Sequence, residues 1–131
     1  MGSRLIRVSS RALGEPRRCI VRVYDTCTEM CEAGTRFNGD DLANSAGITQ
    51  AYLDGDKRVT VPVVRLARGR LTTQVVSHEL HHAATAIYAS TLAPDTLAVD
   101  VLTHHNEAFA HLFSDLLARV AASLWRFGYY D

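Results

Sequence analysis

No apolar run in this sequence of 131 residues approaches the roughly 18 residues that a membrane-spanning helix needs. The N-terminus lacks the apolar core, roughly 7–15 residues long, of a secretory signal, and a cytoplasmic location is expected. Cysteine is scarce and odd in number. Cys19, Cys27 and Cys31 do not make the disulfide framework of a secreted module and read as reduced, partly buried thiols. Excess charge is missing too: 14 basic residues balance 14 acidic ones, which argues against a generic nucleic-acid binder held by phosphate contacts. Lysine is nearly absent, Lys57 standing alone among the arginines, and no chemistry follows from it. No internal repeat or low-complexity tract is visible.

What is present suffices for one core. A chain that is 47% hydrophobic and 21% charged buries roughly two thirds of its unfolded surface at this length, so residues 1–131 read as a single domain. Its charge is uneven. Arg4, Arg7, Arg11, Arg17, Arg18 and Arg22 face only Glu15 at the start of the chain, a basic surface expected to be solvated rather than to meet an acidic partner.

Leu5 to Val8 and Cys19 to Tyr24 are strand-like, the second alternating Cys19, Val21 and Val23 against Ile20, Arg22 and Tyr24. Thr26 with Glu29 has the form of a capping box and opens a helix over 27–33, with Gly34 as its stop. Cys27 and Cys31 are then four apart on one face. That spacing suits a metal, but no further thiol lies nearby, and burial is the expectation. The stretch from Thr35 to Ile48 is rich in turn formers and reads as loop. Gln50 to Leu53 and Lys57 to Leu66 flank an Asp54, Gly55, Asp56 turn as a hairpin. Pro62 cannot donate to a ladder, which predicts that the second arm lies at a sheet edge, where an extended peptide can add.

Helices dominate the rest. Thr72 or Thr73 caps a helix running to about Ser90 with Val76, Leu80, Ala83 and Ile87 as its apolar stripe. A short helix is expected over 96–102. A long one runs from near His104 to about Phe127 with Phe109, Leu112, Phe113, Leu116, Leu117, Val120 and Leu124 on one side. Strands before residue 66 and helices after 72 define an α+β fold: a small N-terminal sheet with an edge hairpin, packed on the two helices.

The chemistry is concentrated in His78, Glu79, Leu80, His81 and His82, an HExxH pattern on a helix already inferred from periodicity. His78 and His82 project from one face a turn apart, so two imidazole nitrogens can converge on one ion. Glu79 lies about 100° around the axis, unsuited to be a ligand beside them but placed to take a proton from a metal-held water. From this composition a chance HExxH arises about once in a hundred such chains, before helicity is required. A catalytic zinc site uses three protein ligands. The downstream group His104, His105, Asn106, Glu107 and His111 is the one later concentration of ligand-type side chains. Glu107, His111, Ser114, Ala118 and Ala121 or Ala122 share a seam of the long helix, and His78 and His82 continue into Thr85 or Ala86 and Ala89. Two seams of small side chains allow close approach, and this favours Glu107 as third ligand over His104, His105 or His111. Donors to a developing oxyanion are sought among His104, His111, Tyr88 and the C-terminal tyrosines.

HELHH followed after about 25 residues by NEAFAHLF resembles the zincin metallopeptidases whose third ligand is a glutamate on a later helix, in particular the small ImmA/IrrE-type and related phage-borne proteins. The resemblance spans about 72–117, with the signature contracted to Glu107, Ala108, Phe109 and Ala110. It implies a minimal zincin-like domain, with zinc held by His78, His82 and Glu107, Glu79 as general base, and the Lys57 to Leu66 strand as the edge that receives a protein or peptide substrate. SprT-like proteases, with a histidine as third ligand, are the near alternative, because His105 precedes Phe109 at a similar spacing. Two functions are expected from these residues: zinc-dependent hydrolysis of a peptide bond, or a catalytically weak or inactive zinc-binding interaction module on the same scaffold.

Overall fold

The computed structural model of the protein describes residues 2–39, 41–51, 61–91 and 106–130. Within them it is α+β, with four strands and three helices in the order β1 (Ser3–Ser10), β2 (Arg17–Tyr24), α1 (Cys27–Asn38), β3 (Ile48–Gln50), β4 (Val63–Ala67), α2 (Thr73–Ala89) and α3 (Asn106–Arg126). The Asp54 to Asp56 turn and the helix expected over 96–102 lie outside the described residues. Among the described residues no helix is long and apolar enough to cross a membrane.

The sheet order is β1-β2-β4-β3. β1 pairs antiparallel with β2, β2 runs parallel to β4 with Ile20 opposite Val63, and β3 returns antiparallel to β4 with Ile48 opposite Arg65. A parallel pair needs a crossover, and α1 lies in the connection between β2 and β4. β3 and β4 do pair antiparallel, but with Gln50 opposite Val63 rather than across the expected 54–56 turn, and among the described residues β4 is interior and β3 the edge, the reverse of the expected placement. Pro62 does not force β4 outward because it precedes the strand, and its carbonyl accepts from the Ile20 N–H at 2.9 Å. The missing donor falls where the ladder has not yet begun.

Thr26 caps α1, its hydroxyl oxygen accepting from the Glu29 N–H at 3.1 Å. The helix does not stop at Gly34. It runs to Asn38 and ends at Gly39, whose φ of 84° lets its N–H turn back to the Thr35 carbonyl. Gly34 serves packing instead: a Cβ there would lie 2.7 Å from Ile48 Cδ1, so a larger residue would push that side-chain end aside where α1 rests on β3.

Strand alternation sorts the side chains into two layers. Ile6, Val8, Cys19, Val21, Val23, Val64 and Leu66 face α2 and α3 and join their stripes, Val76, Leu80, Ala83 and Ile87 with Leu112, Leu116, Val120 and Leu124, in one buried cluster. On the opposite face α1 covers a smaller cluster of Tyr24, Met30, Cys31, Ile48 and Ala67.

Candidate metal centre

Thr72 opens α2, its side chain accepting from the Val75 N–H at 3.1 Å. With the apolar stripe fixed against the sheet, the 3.6-residue period turns His78 and His82 outward and places Glu79 beside β3. The two imidazoles converge. Their Nε2 atoms are 3.2 Å apart and their planes meet at 85°. Two nitrogens on one tetrahedral zinc at about 2.05 Å would be separated by about 3.3 Å, so the pair already has the span of a chelate and suits zinc by donor type and geometry.

Glu79 is 6% exposed, an unusual place for a carboxylate. Thr49 on β3 accounts for it. The Thr49 hydroxyl, with one proton to give, lies 2.8 Å from Glu79 Oε1 and 2.9 Å from the Glu79 main-chain oxygen. Gly47 accounts for the rest, because a Cβ at that position would lie 2.8 Å from Glu79 Cγ. These contacts close one wall of a cavity of about 450 Å³ into which Leu42, Gly47, Thr49, His78, Glu79 and His82 look. On the other flank of the histidines a second groove is lined by His81, Phe113 and Leu117.

Gly47 and Thr49 were not singled out by the sequence. Gly47 sits in a stretch whose turn chemistry explains a glycine without invoking α2, and Thr49 reads as an ordinary strand residue. The one available signal was the alternation that sends Thr49 to the face opposite Ile48 and Gln50.

The remaining expected residues are distributed differently. His81 packs edge-on against Phe109 and Phe113 at 5.4 and 5.6 Å between ring centres. Tyr88 is buried with its ring 5.7 Å from that of Phe109, and burial raises its hydroxyl pKa. α2 and α3 thus meet through aromatic and aliphatic side chains, and the seam Glu107, His111, Ser114 and Ala118 stays exposed. The close approach of two small-residue seams expected from the sequence does not occur, since burying rings and leucines removes far more apolar area than apposing alanines. Glu107 lies in the first turn of α3, with Oε1 3.2 Å from His111 Nε2. Among the described residues no third His, Cys, Asp or Glu forms a metal-holding group with the histidine pair. His104 and His105 lie outside the described residues. Tyr88, His111 and the described C-terminal tyrosines do not line the cavity.

Comparison with family models, with curated proteins and with solved structures finds no match to this chain.

Proposed function

We propose that the chain is a zinc-dependent metallopeptidase in which His78 and His82 hold the metal, Glu79 is the general base, and Glu107 gives up its pairing with His111 to complete the ligand set. The observation that carries this reading is the chelate span of the two Nε2 atoms, 3.2 Å, on the same cavity as a buried glutamate. Zinc bound there would supply Lewis-acid polarisation of a scissile carbonyl and a water acidic enough to lose a proton near neutral pH. The protein's part is to fix the base. Thr49 and Gly47 hold the Glu79 carboxylate in place, so that it takes the proton of the attacking water and returns it to the leaving amine. Among the described residues β3 has β4 on one side only, and the other edge is where an extended peptide would add beside the histidines. The groove bounded by Phe113 and Leu117 suits an apolar side chain of that peptide. His104 and His105 are the other candidates for the third position.

A second reading is favoured by the pairing of Glu107 with His111: a zinc-binding interaction module with slow or no turnover. Glu79→Gln separates the two. Elemental analysis of protein purified without chelator should give about one zinc per chain in wild type and variant alike. Cleavage of a mixed fluorogenic peptide library should fall by about 10²–10⁴-fold in the variant. Unchanged cleavage removes Glu79 from the chemistry. No cleavage by zinc-loaded wild type selects the module, and stoichiometric zinc in a His78→Ala, His82→Ala double variant overturns the metal site.

A further inference from the structure

On the far face of the sheet, Cys27 and Cys31 stand one turn apart at the start of α1. Their Sγ atoms converge on one acceptor, the Ser45 carbonyl, at 3.2 and 3.6 Å. Both open onto a cavity of about 670 Å³ on whose wall Arg36 and Arg70 also lie. Among the described residues no group of three or more His, Cys, Asp or Glu forms there, although Glu32 and Asp41 line the same wall. Two soft sulfur donors with one carbonyl oxygen fall short of the four ligands of structural zinc. Hard carboxylates do not recruit a soft ion, whereas thiolates select one.

We propose that Cys27 and Cys31 form a two-thiolate site for a cuprous ion. Binding forms two Cu–S bonds and releases both thiol protons to solvent, with no change in the oxidation state of metal or sulfur. The site then carries one net negative charge, placed among the first-turn N–H groups of α1 and facing Arg70. Burial and the neighbouring Cys31 thiol raise the Cys27 pKa, while Arg70 works in the opposite direction. At neutral pH the Cys27 thiol therefore keeps its proton, and a thiophilic cation displaces it. Cys19 takes no part, being fully buried on the other face of the sheet.

The test is anaerobic titration of the full chain with Cu(I) in competition with a chromogenic bicinchoninate chelator. Wild type should withdraw about one equivalent from the chelator. Cys27→Ser and Cys31→Ser should each lose that withdrawal, while Cys19→Ser and the His78→Ala, His82→Ala double variant keep it. Failure of wild type to compete, retention by both cysteine variants, or loss in the histidine variant overturns the site. Should the cysteine variants not fold, X-ray absorption at the copper edge of the wild-type complex decides: two sulfur neighbours support the assignment and a nitrogen shell overturns it. The outcome is independent of zinc at His78 and His82, which is measured on the same proteins without copper.

Discussion

The two faces of the sheet are built on different physics. On the face toward α2 and α3, side chains from β1, β2 and β4 merge with two helical stripes into one apolar cluster. On the face toward α1 the cluster is small, and beside it Arg65 lies 7% exposed, its Nε donating to Gln50 Oε1 at 2.8 Å and its Nη1 to the Tyr24 hydroxyl at 2.6 Å. Gln50 in turn donates to the Gly34 carbonyl at 2.8 Å. The thick face is set by area, which tolerates exchange of one hydrocarbon for another. The thin face is set by hydrogen-bond geometry and by a glycine that admits a neighbour at contact distance. The histidine pair stands where the thick layer runs out, at edge strand β3, so the carboxylate beside it is held by a hydroxyl rather than by bulk packing.

Truncation of core side chains is the largest expected effect and the most direct way to break this contrast. Leu116, fully buried between α3 and the rest of the apolar cluster, should cost about 3–5 kcal/mol of stability when replaced by alanine. Ile48→Ala on the thin face should cost about 2 kcal/mol, since a small cluster at a sheet edge collapses more readily around a void. Urea unfolding of the two variants gives the comparison. Equal losses would show that both layers are packed alike.

Alkaline pH should separate the faces next. Burial on the thick face pushes the Cys19 thiol up to about 12, whereas in the unfolded chain it titrates near 9.0. Above that lower value the unfolded state loses a proton that the native state keeps, so stability is complete below about 9 and falls by about 1.4 kcal/mol per pH unit until the folded thiol itself ionises. Cys19→Ala should flatten this limb in denaturation midpoints taken from pH 8 to 11. Cys27→Ala should leave most of it, because Arg70 opposes the rise at that thiol.

How far this was legible in the sequence follows the same division. Periodicity exposed the thick face almost whole: the alternation of Cys19, Val21 and Val23 and the stripes from Val76 to Ile87 and from Leu112 to Leu124 are all in the core. It also placed His78 and His82 on an outward face with Glu79 turned aside. Strand order was not legible, because Pro62 says only that it donates to no ladder and does not reveal that β4 begins one residue later. Nor was the role of the glycines. Gly34 as a helix stop and Gly34 as a point of close approach look the same in sequence, and only the neighbour, Ile48 Cδ1, distinguishes them. Nor was the meeting of α2 with α3 legible, because a seam of small residues and a stripe of aromatic ones both read as a packing face, and the aromatic one wins, leaving Glu107 beside His111 on the exposed side.

The edge of the thick layer gives a smaller effect that sharpens the comparison. Gly47→Ala would set a methyl group 2.8 Å from Glu79 Cγ, and the cost should be about 1–3 kcal/mol as the glutamate or the chain near Gly47 shifts. Thr49→Val keeps the shape but withdraws the hydroxyl from a buried carboxylate, for about 1–2 kcal/mol. Thr49→Ser should restore most of that loss. Denaturation of the three variants checks it. A valine variant as stable as wild type would mean that packing alone holds Glu79, as it does the leucines.

The smallest effect asks whether a polar pair on the thick face matters as one does on the thin face. Ser10, fully buried at the end of β1, donates to Asp115 Oδ2 at 2.5 Å and accepts from the Ala12 N–H, and Arg119 reaches the same carboxylate from one turn along α3 at 3.1 Å. The Ser10 hydroxyl, with help from Arg119, lowers the Asp115 pKa against the opposing effect of burial. A depressed carboxylate adds stability above its unfolded value near 4 and loses it as pH falls through the folded one. Because a third of this side chain meets water, the increment should stay under about 1 kcal/mol. Asp115→Asn should remove that acid-side decline in urea midpoints between pH 5 and 2.5, and Ser10→Ala should remove the greater part. A larger loss in either variant would mean that β1 is pinned to α3 by this hydrogen bond, with the apolar contact around it secondary.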